Sequence, residues 1–300
     1  MNSHRLPLLA QRVLNTPLCL HPAKAELILA AIGQRFGVLN VEASFGTHMG
    51  GAIPFAPPAP LREYGSADGY PCDNLPYDVA EGVAILPVEG TLVAKNNTVR
   101  PYSGMTGYDG IASAFAIARA DKKVRAIVLD IDSGGGECAG LFDLVDNIAA
   151  ARGSKPIWAI LTEHAYSAGY AIACAADRII MPRTGGCGSI GAIVLQAEIT
   201  GLLKNEGVTV NIIRSADRKG RGGPYEPLDD TTRSRIELSV QKSAELFIET
   251  VAQNRAIPVE DIEAMEAECY DADEALKLKL VDAVMSPDDA FAELVESLPA

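Results

Sequence analysis

Three hundred residues, 48% of them hydrophobic and 22% charged, suffice for one large domain or two smaller ones with a substantial core. A net charge of −13 argues against nucleic acid or an anionic membrane surface as a partner, because phosphates would repel it. Six scattered cysteines (Cys19, Cys72, Cys138, Cys174, Cys187, Cys269) include no C-x-x-C pair and no histidine at ligand spacing, which argues against a zinc site and for a reducing compartment.

In chain order, residues 5–38 carry a helical pattern in two pieces, broken near Asn15-Thr16-Pro17 and Leu20-His21-Pro22. The second piece places Leu27, Ile28, Ala31 and Ile32 on one face and stops at Gly37. No cleavable apolar core precedes it, and its apolar run at 27–32 is too short to span a bilayer, so a soluble protein is expected. Residues 46–76 are rich in proline, glycine, serine and alanine and read as an extended linker. The expected division is a helical segment 1–45, a linker 46–78 and a main domain 79–300.

From Val83 onward strand and helix patterns alternate. Strands are expected at 83–88, 126–131, 157–161, 178–181 and 208–213, and helices at 108–120, 139–151, 168–176 and 198–206. Residues 185–191 form a glycine-rich turn and 215–227 a polar loop, after which Asp229-Asp230-Thr231 caps a long amphipathic helix to about residue 256. Alternation of this kind implies an α/β fold whose parallel strands are buried on both faces.

Two stretches could carry chemistry. Ser167 stands where the strand 157–161 and its polar continuation give way to the small-residue helix Ala168-Gly169-Tyr170-Ala171-Ile172-Ala173. Its hydroxyl would lie near free backbone N–H groups, where a nucleophile or, more commonly, a helix N-cap is found. Gly134, Gly135 and Gly136 end one strand and precede a helix, so their N–H groups can hold an anion or simply make a tight turn. Gly134 to Ala139 also matches the dinucleotide pattern G-x-G-x-x-[GA], but no acidic residue closes the next strand at the required distance.

A serine nucleophile needs a base. The histidines are His4, His21, His48 and His164; three lie in or before the linker, and His164 is expected to be a solvated or capping residue on the same turn as Ser167. Lysines downstream of the serine are Lys204, Lys219, Lys242, Lys277 and Lys279. Lys242, Lys277 and Lys279 lie on solvent-facing helices, Lys204 sits beside Glu206, and Lys219 reads by composition as a surface loop residue.

At these residues the sequence resembles the serine–lysine signal-peptide-peptidase family. Residues 131–136 look like its glycine loop, 166–177 like its nucleophile helix, Gly188-Ser189-Ile190-Gly191 like the following turn, and 273–282 like its C-terminal signature. The segment 14–23, Leu-Asn-Thr-Pro-Leu-Cys-Leu-His-Pro-Ala, resembles the start of the lambda-type phage capsid (head maturation) proteases within that family. The resemblance implies a Clp protease/crotonase-like spiral of ββα units with added N- and C-terminal helices. It also implies a Ser167–Lys219 dyad at the family's spacing of 52 positions, with an oxyanion hole from Gly135 and Ala168 flanked by Gly134 and Gly136. Ser189 is a candidate to orient the lysine amine or a plain turn serine. The sequence departs from the family at Ser133, where proline is common, and at Ala168, where glycine is commoner.

The implied activity is a serine endopeptidase that cleaves scaffold, portal or capsid proteins, or itself, in the host cytoplasm or the procapsid interior. A homo-oligomeric ring is implied, with no metal, cofactor, nucleic-acid or membrane partner. A scaffold segment often follows in such phage genes, and its absence after Ala300 is read as absence or removal. The alternatives are a cytoplasmic signal-peptide-peptidase-like protease, a crotonase-like acyl-CoA enzyme and a catalytically silent capsid-assembly component.

Overall fold

The computed structural model describes residues 16–21, 75–97 and 104–299, so most of the expected N-terminal helical segment and linker lies outside the described residues. The part of that segment that is described is not helical. Leu18–Leu20 forms strand β1, and the next described strand is β2 (Asp78–Ala80).

Two successive units then follow one plan. In the first, β3 (Val83–Glu89) turns at Gly90 into β4 (Thr91–Val93), and β5 (Met105–Gly107) leads into helix α1 (Tyr108–Ala120). In the second, β6 (Ala126–Ser133) turns at Gly134 into β7 (Gly135–Glu137), and α2 (Leu141–Ala149) follows. A third begins with β8 (Ile157–Tyr166) and α3 (Ala168–Ala173), then β9 (Arg178–Met181) and β10 (Gly186–Gly188). This is the expected α/β spiral of strand–strand–helix units.

The chain continues through α4 (Thr200–Asn205), α5 (Asp230–Arg255), α6 (Val259–Glu263), β11 (Cys269–Asp271), α7 (Ala272–Lys277), β12 (Ala283–Val284) and α8 (Pro287–Ser297). The larger sheet has the path β11-β10-β8-β6-β3-β2, with β9 on β8 and β12 on β9; its interior pairs are parallel, and β2 and β11 are antiparallel. The smaller sheet runs β1-β7-β4-β5.

Burial on both faces explains the apolar runs. Strand β6 sends Ile127, Leu129 and Ile131 into the main core with Ile111, Phe115, Leu144 and Ile148 of α1 and α2. Its Ala126 and Val128 face the opposite side, where Ala290 and Leu294 of α8 cover Trp158, Ile160 and Ile180. Along β8, β9 pairs with residues 158–160 and β10 with 164–166, so the sheet divides just before the serine.

Three expectations change. Strand β8 runs on to Tyr166 rather than ending at 161, and the glycine turns contain short strands, because the backbone beyond each bend finds a new partner. The expected strand 208–213 is absent. Val208, Val210, Ile212 and Ile213 are 50%, 41%, 40% and 97% exposed, and no described strand pairs with them. The long helix α5 has the expected cap, with the Thr232 N–H donating to Asp229 Oδ1 at 2.9 Å. It is buried only at Phe247, Thr250 and Val251 near its C-terminal end. There Arg255 grips Asp282 with two bonds of 2.7 and 3.0 Å, and Asp282 also accepts the Ile179 N–H at 2.7 Å.

Candidate active site

Ser167 joins β8 directly to α3, with φ 54° and ψ −117°. A non-glycine residue there costs roughly 1–3 kcal/mol and persists only where its surroundings over-determine it. They do: its N–H donates to the Gly188 carbonyl at 2.8 Å, its carbonyl accepts the Ala171 N–H at 2.9 Å, and all six residues of α3 are buried. The hydroxyl makes no capping bond, so the N-cap role is not what this serine does. Its Oγ is buried with no hydrogen-bond partner, an unusual condition for a group that readily finds one. A sharp strand-to-helix turn that presents such a hydroxyl has the geometry of a nucleophile elbow.

The glycine loop lies against this elbow. Gly135 has φ +96°, and a Cβ placed on it would overlap the Cys19 carbonyl oxygen and stand 3.0 Å from Ser167 Cβ. A Cβ on Gly136 would overlap the Leu92 carbonyl oxygen. Glycine is therefore required at both positions by close backbone approach. The Gly134 carbonyl accepts the His21 N–H at 2.8 Å. Ala168 opens α3, so its N–H has no acceptor within the helix.

Ser133, 2% exposed, is a participant that the sequence does not announce. Its Oγ accepts the Gly135 N–H at 3.0 Å and donates to the Gly90 carbonyl at 2.7 Å. The candidate oxyanion donor is thus occupied by a side chain two residues before it. The only sequence signal was the serine itself, at a position where the resembled family often has proline.

Ser189 has φ 55°, and its N–H donates to the Glu268 carbonyl at 2.8 Å. Its hydroxyl faces the Cys269 thiol, which burial and Glu268 push up and this hydroxyl partly holds down, and no hydrogen bond joins it to a lysine among the described residues. His164 lies on β8, not on a helical turn with Ser167. Its Nδ1 is buried and unpartnered, and its ring stacks on Tyr166 at 5.3 Å. Tyr166 in turn meets the His21 ring at 4.7 Å. Burial pushes the Cys174 and Cys187 thiols up to about 12, so they remain protonated and pack as small apolar groups.

Lys219 is exposed in the turn 216–222. Its N–H donates to the Ala216 carbonyl at 3.0 Å and its carbonyl accepts from Arg214 Nε at 2.9 Å. Arg214 is held in turn by Glu226 at 2.5 Å. The chain therefore brings together Ser167, Ala168, Ser189 and the three glycines, and leaves Lys219 on its surface without a bond to the serine. Among the described residues no group of three or more His, Cys, Asp or Glu is placed to hold a metal, and no helix is long and apolar enough to cross a membrane.

A family model described as Peptidase family S49 matches residues 149–299. The chain is 34% identical over 296 residues to the capsid assembly protease C of Escherichia phage lambda, covering 98% of this chain and 66% of that protein. It is 33% identical over 287 residues to the head-tail preconnector protein GP5 of Enterobacteria phage P21, covering 95% of this chain and 56% of that one. The chain thus spans slightly less than two thirds of the first relative and little more than half of the second. Among solved structures, a ClpP1 variant from Listeria monocytogenes matches 68% of this chain and 92% of its own, with a TM-score of 0.43 and 12% identity.

Proposed function

The chain belongs to peptidase family S49, and from that membership we propose that it is a serine endopeptidase that processes phage head proteins. The observation that carries this reading is the buried, unpartnered Ser167 hydroxyl on a strained elbow beside Gly135. Ser167 Oγ attacks the scissile carbonyl, and the Lys219 amine takes its proton and returns it to the leaving amine. Water then releases the acyl group from the serine. The N–H groups of Gly135 and Ala168 receive the oxyanion, at about 3 kcal/mol per donor. For this, Gly135 must exchange the Ser133 hydroxyl for the substrate oxygen.

Lys219 must also reach the serine, by closure of its own loop or from a neighbouring copy. The exposed Val208, Val210, Ile212 and Ile213 suit burial against a second subunit, in keeping with the ring that the resemblance implies. Scaffold, portal and capsid proteins in the procapsid interior are the proposed substrates, and the chain itself is another. Co-expression with candidate head proteins, read by intact mass, tests the reading: defined cleavages should vanish in both Ser167→Ala and Lys219→Ala. Cleavage that survives only Lys219→Ala would name another base.

A second reading draws on Lys219 at the surface and the engaged Gly135 N–H: a catalytically silent assembly component. It expects intact procapsids with uncut head proteins from wild type and Ser167→Ala alike.

A further inference from the structure

The segment 16–21 lies across the candidate site as an extended strand. It pairs antiparallel with β7, Leu18 opposite Glu137, Cys19 opposite Gly136 and Leu20 opposite Gly135. On its other edge Leu18 exchanges two hydrogen bonds of 2.9 Å with Ile193. The Cys138 N–H donates to the Pro17 carbonyl at 3.3 Å, and the His21 N–H to Gly134 at 2.8 Å. A short strand held by main-chain bonds on both edges is how an extended peptide docks into a sheet.

Its register places it over the chemistry. The Cys19 carbonyl oxygen and Ser167 Cβ both lie within 3.0 Å of one point, the Cβ position of Gly135. We propose that residues 16–21 are a tethered occupant of the substrate groove, which keeps the enzyme shut until a substrate or an assembly step displaces the strand. This rests on reading Ser167 as the nucleophile.

Two features support displacement rather than a permanent role, and a third explains why the strand is not cut. Leu18 and Leu20 pack in a small cluster of their own with Ile193 and Leu195, separate from the main core. Only Cys19 reaches the main core. The strand also stays uncut for a visible reason, since the Gly135 N–H is turned to Ser133 and leaves the nearby carbonyl without that donor.

The cysteines provide a lock. Cys19 Sγ and Cys138 Sγ are 2.8 Å apart as free thiols, one on the strand and one just after β7. Oxidised glutathione can close the pair. Cys138, the more exposed of the two, attacks its disulfide and expels one glutathione thiolate. The Cys19 sulfur then attacks the mixed disulfide at Cys138 and expels the second, and the two protons given up by the cysteines pass to the departing glutathiones. The Cys138 hydrogen bond and burial raise the Cys19 thiol, so the second step is the slower one.

The test uses the full chain with two readouts: labelling of Ser167 by a fluorophosphonate, followed by mass, and binding of a fluorescein-tagged peptide with the sequence of residues 15–23. In the wild type, oxidation should slow labelling about tenfold or more and abolish peptide binding, and dithiothreitol should restore both; Cys138→Ser should be indifferent to the oxidant. The double variant Leu18→Asp/Leu20→Asp, shown to be folded by circular dichroism, should label about tenfold faster than wild type and bind the peptide more tightly. A disulfide-locked chain that labels and binds as the reduced one does overturns the proposal, and this arm holds even if the double variant fails to fold. Peptide binding that follows the lock while no form labels at Ser167 supports the tethered strand and overturns the nucleophile instead.

Discussion

Ser167 and the loop that carries Lys219 are built in opposite ways. The serine stands between a ten-residue strand in mid-sheet and a helix with all six residues buried, and its odd backbone angle is imposed by both. Lys219 stands in a stretch, 208–221, whose residues are all exposed apart from Arg214 and whose anchors in view are local turns and the ion pairs of Arg214 and Arg221 with Glu226 and of Arg221 with Asp229. A nucleophile must be aimed within a fraction of an ångström, and a packed core can do that. The proposed proton acceptor is carried by an exposed piece of chain with few contacts to the core. On the proposed reading, the chemistry of a single chain is half assembled, and activity would depend on what completes it.

The largest test of this contrast is Ser167→Ala. Activity should fall by about 10⁶-fold, as for other nucleophile deletions, while the melting temperature stays within about 2 °C because the hydroxyl holds no bond. Ser167→Gly should be equally inactive yet more stable by about 1 kcal/mol, since glycine adopts φ 54° without strain; thermal unfolding measures it. Lys219→Ala should cost nearly as much activity with no change in melting temperature, because the side chain is exposed. If neighbouring subunits share sites, mixing this variant with Ser167→Ala should restore part of the cleavage, and a strictly one-chain dyad would restore none.

On the packed side, Arg255→Ala should cost about 3 kcal/mol in denaturant unfolding. It removes a guanidinium 8% exposed and leaves Asp282 with the Ile179 N–H but no countercharge. Ser133→Ala should cost about 1–2 kcal/mol, because the Gly90 carbonyl and the Gly135 N–H both lose their partner. The same change frees the proposed oxyanion donor, so kcat should hold or rise while stability falls. A fall in both would mean that Ser133 positions the loop for catalysis.

The smallest effect is expected at Asp130. Burial raises its carboxyl above the ordinary range, partly offset by the Thr162 hydroxyl, and Asp132 raises it further. Its folded-state value therefore exceeds the unfolded one, so its contribution is fully present below the unfolded value and lost as pH rises through the folded value. Asp130→Asn should raise the melting temperature at neutral pH by about 1–3 °C, and the gain should shrink as pH falls through the carboxylate range. A gain independent of pH would assign the effect to something other than this charge.

Much of the framework was legible in the order of residues. Apolar runs such as Ala126 to Ile131 can be satisfied only by burial on both faces, and helix α1 begins and ends where its pattern does, at Tyr108 and Ala120. The elbow was legible too, because a strand followed by Ser167 and a run of small buried residues leaves few conformations open. These are local matters of periodicity and side-chain size. What the tertiary structure alone decided is who meets whom. Periodicity marks residues 208–213 as a segment that wants a partner strand but cannot supply one, and it marks Leu18-Cys19-Leu20 as nothing more than a break between helices. The first stayed exposed and the second crossed to the glycine loop, because strand pairing joins residues more than a hundred positions apart. The hydroxyl of Ser133 on the Gly135 N–H and the distance of Lys219 from Ser167 belong to the same class of outcome, set by three-dimensional approach and not by anything a neighbouring residue records.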